Sequence, residues 1–379
     1  MKIPVGPLDL LIIQGSPFCN IDCKYCYLPN RLDKSKIKFE TVEIALKKIF
    51  EEKLVHKEFS IVWHAGEPLA MPIDFYRRVY QLLKEIVPEN INVIQHIQSN
   101  ATLLTQEWCD FIKESGIKIG ISIDGPQFLH DANRITRSGK GTFAAAMAGA
   151  KLLQQNEIEF SVIMVITEKA LDYPVEIFNF FKELGTRSLG FNIDEEDGAN
   201  TTSTIQQPQE VRLKHFWKTM YQLQMQPGNY IHIREIFGFN EMLLNIDLKK
   251  ESMHLGQMLC PYKIITMDTK GDYTTFSPEL IGMKDESYGN FTLGNVHTDS
   301  FRDALQTDKF KKMFGEIMQG VTMCKNTCDY FHLCGGGAPS NKLYENKSFA
   351  TTETNFCKYS RKIIIDSIME SMEEVLIPH

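Results

Sequence analysis

From Leu8 to about Asp194 the chain alternates short apolar runs with longer stretches in which apolar residues recur at helical spacing, separated by polar or glycine-bearing turns. That alternation is how βα units of a parallel sheet read. Six strands are predicted, at Leu8–Gln14, Phe59–His64, Asn92–Gln98, Lys118–Ile123, Glu159–Ile166 and Ser188–Ile193. Helices fill the gaps, at Glu40–Glu52, Ile73–Ile86, Gln106–Ser115, Thr142–Asn156 and Pro174–Leu184, with Thr105 as the N-cap of the third. Six units without the eight of a closed barrel predict an α/β fold built as an open, partial (β/α)6 barrel.

After Asp194 the repeat stops. The segment Asp197 to Pro208 is polar and rich in Thr and Gln, Glu210 to Gln224 reads as a helix, and Pro227-Gly228 ends it. A boundary near Gln226 is therefore expected, dividing the chain into a barrel over 1–226 and a second domain over 227–379. The last third has a weaker helix and strand signal and carries five of the nine cysteines, which predicts a small region held by a metal centre as well as by hydrophobic burial.

Composition narrows the classes. With 43% apolar and 23% charged residues in 379, wholesale disorder is excluded. The net charge of -7 and the lack of a dense basic run argue against a nucleic-acid partner. No apolar stretch approaches the roughly 20 residues that span a bilayer. The start, Met1-Lys2-Ile3-Pro4, has no signal-peptide h-region, so a cytoplasmic protein is expected. Thiols in that compartment stay reduced, which points the nine cysteines toward metal ligation or inert burial instead of disulfides.

The unusual polar motifs all fall at or just after the C-terminal ends of predicted strands, where parallel α/β folds place active sites. The first, Cys19-Asn20-Ile21-Asp22-Cys23-Lys24-Tyr25-Cys26, puts three thiols on one short loop. A structural zinc site wants four ligands, whereas a [4Fe–4S] cube on three thiolates leaves one iron open for a substrate or cofactor. Zinc and inert burial are the competing readings of this spacing.

C-x3-C-x2-C with an aromatic, Tyr25, before its last cysteine resembles the cluster loop of the radical S-adenosylmethionine (SAM) superfamily. The resemblance implies that the open iron chelates the amino and carboxylate groups of SAM, and that an electron from the cluster cleaves it to a 5′-deoxyadenosyl radical. His64-Ala65-Gly66-Glu67-Pro68 is similar to the family's G-G-E-P stretch, with Ala65 for the first glycine. Gly66 and Glu67 would then meet the methionine amino group. Ser99-Asn100 resembles its T-N, and Ser122-Ile123-Asp124-Gly125 its S-[IL]-D-G, followed by Arg134. By that likeness Tyr25, Gly66, Glu67, Asn100, Ser122 and Arg134 line the SAM site, with Ser122 and Arg134 at the ribose and carboxylate.

Cys324-x3-Cys328-x5-Cys334 with the later Cys357 supplies four thiols beside Gly335-Gly336-Gly337. The set saturates a closed [4Fe–4S] cluster and equally a tetrahedral zinc ion. It is similar to the second auxiliary cluster of SPASM domains, but the ligands of the other auxiliary cluster fail: Phe276 ends the G-x4-C element and Ala338 stands four beyond Cys334. One SAM-binding [4Fe–4S] cluster and one auxiliary [4Fe–4S] cluster are therefore expected, with Cys260 and Cys109 as spectators.

Sulfatase maturases are SPASM relatives, yet they place a catalytic aspartate where this chain has Ser277. Pro17-Phe18-Cys19-Asn20, Trp63 to Leu69, Phe276 to Leu280, Gly294 to Ser300 and Cys334 to Pro339 instead resemble the cyclophane-forming radical SAM/SPASM peptide maturases of the GrrM/OscB type. That implies a ribosomal precursor peptide as substrate and a reductant such as flavodoxin or ferredoxin. It also implies a C–C bond between an aromatic ring and a β-carbon; thioether or formylglycine formation is the alternative outcome. No general base is assigned, Glu279, His297 and His64 being loop residues able to take a proton. Trp63, Tyr27 and Phe18 serve as core or as stacking surfaces. No segment of about eighty residues precedes the first strand, so a fused N-terminal leader-binding domain is not expected.

Overall fold

The strand candidates are realised in chain order in the computed structural model, which describes residues 5–206, 208–245 and 255–376; Met1 to Pro4, read above for an export signal, lie outside that range. Strands β1 (Leu10–Ile13), β2 (Glu58–Trp63), β3 (Asn92–Ser99), β4 (Lys118–Ser122), β5 (Phe160–Ile166) and β6 (Ser188–Ile193) each pair in parallel with the next. Between them run α1 (Phe39–Glu51), α2 (Ile73–Ile86), α3 (Gln106–Ser115), α4 (Gln127–Asn133), α5 (Phe143–Gln155) and α6 (Pro174–Glu183), and α7 (Glu210–Gln224) follows β6. Thr105 caps α3 through Trp108 N–H, 3.4 Å from its Oγ1.

Side chains alternate across each strand, so inward parity can be followed to the strand ends. Leu10, Ser60, Val62, His96, Gln98, Gly120 and Ser161 line one cavity of about 270 Å³ inside the sheet's curve. Continuing the same parity past β2, β3 and β4 brings His64, Asn100 and Asp124 to the mouth. Helices cover the other face: Val162, Met164 and Ile166 of β5 are buried there among Ile177, Phe178 and Phe181 of α6.

The sheet does not end with the six expected strands. β7 (His232–Ile233) pairs with β6, and α8 (Arg234–Asn245) follows it. At the other end β8 (Ile264–Met267) lies parallel to β1, β9 (Asp272–Thr275) runs antiparallel to β8, and β12 (Gly294–Asn295) pairs with β9, past a small hairpin of β10 (Lys284–Asp285) and β11 (Gly289–Asn290). Residues beyond 226 thus extend both edges of one ten-stranded sheet.

The weak signal read for the last third understates its structure. It holds α9 (Phe301–Ala304), α10 (Asp308–Thr327), α11 (Phe331–Cys334), α12 (Pro339–Asn346), α13 (Asn355–Cys357) and α14 (Ile363–Leu376). Phe310, Met313, Ile317 and Val321 put one stripe of α10 into a core shared with Trp63, Tyr262, Tyr273 and Phe276. Ile364, Ile365 and Ile368 of α14 pack with Phe216 and Trp217 of α7. Among the described residues no helix is long and apolar enough to cross a membrane.

Candidate active site

Because β1 to β6 are parallel, their C-terminal ends share one edge, and the loops that leave it carry the chemistry. Cys19, Cys23 and Cys26 sit half-buried on the loop after β1. Backbone bonds from Asp22 N to Ile135 O (2.7 Å) and Lys24 N to Asn133 O (3.1 Å) hold that loop over the mouth. Donors from the end of β3 and from the end of α4 reach its sulfurs: Asn100 Nδ2 lies 3.8 Å from Cys19 Sγ, and Arg134 Nη1 3.9 Å from Cys23 Sγ. Burial pushes the Cys19 thiol up to about 11 and the Cys23 thiol up to about 12. Thiols held neutral in this way need a metal to displace the proton.

Glu67 is 1% exposed and accepts three hydrogen bonds from the chain itself. Its Oε1 accepts from Leu69 N–H (3.0 Å) and Ser99 Oγ (2.7 Å), and its Oε2 accepts from Asn100 N–H (2.8 Å). The carboxylate therefore rivets the turn after β2 to the turn after β3. Burial pushes its pKa up, and the three donors work against that. Gly66, at φ 128°, could carry no Cβ, which would lie 2.1 Å from Ser16 O. Ala65, at φ 67°, takes the left-handed backbone for which glycine is the easy residue, a physical cost of the departure from G-G-E-P.

Asp124 and Arg134 form a buried ion pair, with Arg134 Nε 3.1 Å from Asp124 Oδ1. Tyr25 O–H donates to Asp124 Oδ2, and Val165 N–H donates to Oδ1 at 3.0 Å. Burial disfavours the guanidinium charge, but Asp124, Tyr25 and Cys23 beside it outweigh this and keep it protonated. His130 supports the loop from behind: its Nδ1 accepts Asp124 N–H (3.3 Å), and its Nε2 meets Thr142 Oγ1 (3.1 Å). Ser122 lies on β4 with Gln98 Nε2 donating to its Oγ at 3.0 Å.

The second cysteine set also converges. Cys324, Cys328, Cys334 and Cys357 line one cavity of about 220 Å³, together with Phe331, Lys342 and Lys362. A single water needs only about 10–15 Å³ by the same kind of measure. Among the described residues no three His, Cys, Asp or Glu side chains close around a point that one ion would occupy. Zinc, with Zn–S near 2.3 Å, would draw its sulfurs to within about 4.6 Å of each other. The four-thiol cavity has room for a group larger than one ion, and thiols are the donor set of an iron–sulfur cube. Phe276, by contrast, is buried and stacks on Phe310 and Phe314, Ala338 is buried, and Cys260 Sγ rests 4.0 Å from Gly6 O.

Between the two thiol sites lies a group of carboxyls only partly legible in the sequence. Asp197 is 4% exposed; its Oδ2 accepts from Ser340 Oγ at 3.2 Å, and its Oδ1 is buried with no hydrogen-bond partner among the described residues. Glu279 Oε2 is likewise buried and unpartnered, while Glu195 accepts from Asn341 Nδ2 at 2.6 Å. Burial, with Glu279 next, pushes Glu195 up to about 8. The same causes carry Asp197 well above the carboxylate range, and burial raises Glu279. Tyr27 connects this group to the first thiol loop: its carbonyl accepts Ala199 N–H (2.7 Å), and its hydroxyl lies 3.3 Å from His64 Nε2. Burial drives His64 down to about 4, keeping it neutral.

Of the proton-taking candidates, Glu279 and His64 are gathered around Tyr27. His297 is not: it is exposed, with Nε2 3.1 Å from Thr41 Oγ1 on α1. Trp63 is core, edge-on to Phe75 and Tyr76, whereas Phe18 lies under Lys34 Nζ. Sequence reasoning missed Glu195, Asp197, Lys342 and His130 as site residues. The acidic run Asp194-Glu195-Glu196-Asp197 directly after β6 was the available signal for the first two.

The Radical SAM superfamily model matches residues 13–181. An uncharacterized Synechocystis protein, sll1766, is 41% identical over 377 residues, covering 98% of this chain and 94% of that one. A serine-type anaerobic sulfatase-maturating enzyme of Bacteroides thetaiotaomicron is 27% identical over 370 residues, covering 89% and 84%. Among solved structures, native anSMEcpe with bound AdoMet and Cp18Cys peptide superposes with TM-score 0.78 at 23% identity, covering 98% of this chain and 99% of that one. Streptococcus suis SuiB bound to precursor peptide SuiA gives 0.66 at 17%, covering 94% and 76%. This chain belongs to the radical SAM superfamily, as an iron–sulfur, SAM-using enzyme related to the anaerobic sulfatase maturases.

Proposed function

We propose that this chain matures a ribosomally made precursor peptide, joining an aromatic ring carbon to the β-carbon of a nearby residue to close a cyclophane, as GrrM/OscB-type enzymes do. One observation carries the reading. Position 277, the aspartate position of sulfatase maturases, is a fully buried serine whose Oγ already accepts Ser340 N–H at 3.1 Å, while unpartnered carboxyl oxygens of Asp197 and Glu279 lie nearby. The proton acceptor of the sulfatase-maturase arrangement is replaced by a different carboxyl group.

In this reading Cys19, Cys23 and Cys26 hold the SAM-binding cluster, which with SAM supplies a carbon radical able to take a hydrogen atom. Cys324, Cys328, Cys334 and Cys357 hold the auxiliary cluster, which supplies an acceptor for one electron. Tyr25, Gly66, Glu67, Asn100, Ser122 and Arg134 shape the SAM face, Glu67 by fixing Asn100 and the turn after β2. The peptide gives up one hydrogen atom and, after the ring carbon bonds to the β-carbon, one electron and one proton. Asp197 and Glu279 take the proton, since a buried carboxyl pair without a counter-cation accepts one readily. Peptides bound to the structural neighbours support a peptide partner, and a flavodoxin or ferredoxin class protein would supply reducing electrons.

The test incubates the reconstituted enzyme with the precursor encoded beside its gene. A product lighter by two hydrogens, with no fragmentation between the joined residues, is expected. A product that fragments at every bond and carries a hydrazide-reactive aldehyde would overturn the cyclophane reading in favour of formylglycine. Asp197→Asn and Glu279→Gln should still release 5′-deoxyadenosine while losing crosslinked product.

A further inference from the structure

The four-thiol cavity contains a charge that the fold leaves uncompensated. Lys342, on α12, is 3% exposed, and its Nζ lies 3.4 Å from Cys324 Sγ. An ammonium taken out of water is costly unless an opposite charge meets it. No carboxylate pairs with Lys342 among the described residues, so its partner is on the thiol side of the cavity. The second lysine there differs: Lys362 pairs with Glu353, and its side chain is 22% exposed.

Four neutral thiols could not compensate a buried ammonium, whereas thiolates on a cube carry net negative charge. We propose that Lys342 is the built-in counter-cation of the auxiliary cluster and poises that cluster to take up one electron. This rests on the reading of the Cys324, Cys328, Cys334 and Cys357 cavity as a cluster site. Uptake of one electron makes the cube and its thiolates more negative by one charge, with no proton moving. A fixed positive charge at hydrogen-bond distance stabilises that reduced form over the oxidised one. Lys362, already neutralised by Glu353, contributes little.

The test uses the full-length chain carrying Cys19→Ala, Cys23→Ala and Cys26→Ala, so that only the auxiliary cluster remains. Iron is counted, and the midpoint potential is read by EPR during dithionite titration with mediators. Lys342→Met and Lys342→Gln are expected to shift the oxidised-to-reduced ratio at a fixed potential at least tenfold toward oxidised, a fall of 59 mV or more for one electron. Lys342→Arg should stay near the parent, as should the paired variant Lys362→Gln with Glu353→Gln, which removes both members of a neutral pair. Neutral variants that lose iron while Lys342→Arg keeps it would also support the counter-cation. Neutral variants that keep their iron at an unmoved potential overturn it, as does iron loss in Lys342→Arg along with the neutral pair. Absence of iron in the parent triple variant fails the cavity reading itself, and the proposal with it.

Discussion

Glu67→Gln keeps the side-chain shape but removes an acceptor from a place where three donors converge. Oε1 serves Leu69 N–H and Ser99 O–H, and Oε2 serves Asn100 N–H. Either orientation of the new amide sets its NH2 against at least one of these donors, and at 1% exposure no bulk water can substitute. One buried N–H left unpaired costs about 1–3 kcal/mol, and loss of the charge weakens the surviving bonds by about 1 kcal/mol more. The expected total is about 2–4 kcal/mol.

At about 2.1 cal/mol/K of unfolding entropy per residue, a chain of 379 residues loses roughly 3–5 °C of Tm for that sum. Calorimetry of the apo-protein at pH 8 measures it, with SAM affinity of the reconstituted enzyme read in parallel. Both should fall, because Asn100, which Glu67 fixes, also reaches Cys19 Sγ. An unmoved midpoint together with lost SAM affinity would refute the rivet and make Glu67 a free partner for the SAM ammonium.

Acid should act through His130, which is 1% exposed and held near 4, chiefly by burial and then by Arg134. With the folded pKa depressed from about 6.5, its contribution is complete above pH 6.5 and is lost as pH falls toward 4; by pH 5 the loss is about 2 kcal/mol. Urea midpoints at pH 8 and 5 should show this in wild type and less in His130→Gln; equal slopes would remove His130 as the cause. Gly66→Ala sets a Cβ 2.1 Å from Ser16 O and should cost more than about 3 kcal/mol and iron at the first site. Gly116→Ala, where nothing lies within 4 Å of the new Cβ, should cost only about 1 kcal/mol; equal losses in iron assays would contradict this. Cys260→Ala should keep the full iron content, and a loss of about four irons would make Cys260 a cluster ligand.

The barrel was legible because apolar period and turn chemistry agree there: Thr105 before Gln106 and Gly116 after Ser115 bound α3 to the residue. The thiol loop was legible from spacing alone. What stayed hidden depends on contacts distant in sequence. The strand β8 is four residues, Ile264–Met267, and nothing local says that it pairs with β1 about 250 residues earlier. In α10 the stripe Phe310, Met313, Ile317, Val321 is interrupted by Gly315 and Gly320, which lower helix propensity. Gly320 is there because the backbone of Phe349 passes close, 2.3 Å from where a Cβ would sit. The motif that places Glu67 toward an ammonium does not say what else bonds to it, and its three donors from Leu69, Ser99 and Asn100 appear only in the fold. Nothing in the local sequence marks Lys342, and only the fold places it against Cys324.

The fold treats cations differently beside its two thiol sites. Arg134 lies 3.9 Å from Cys23 Sγ, but Asp124 is 3.1 Å from its Nε, and Tyr25 donates to the same carboxylate. That pair presents little net charge to the first loop. Lys342, 3.4 Å from Cys324 Sγ, forms no ion pair with a carboxylate among the described residues. Between two otherwise equal cubes, Coulomb's law alone then makes the first harder to reduce and the second easier. Radical generation asks the first to give an electron to a sulfonium, which demands a strongly reducing centre. The ring closure proposed above would ask for an acceptor that takes an electron from a carbon radical. Under the proposed function, the charges placed by Asp124, Arg134 and Lys342 would bias the two sites in the directions that ring closure requires, through residues that are not themselves the proposed ligands.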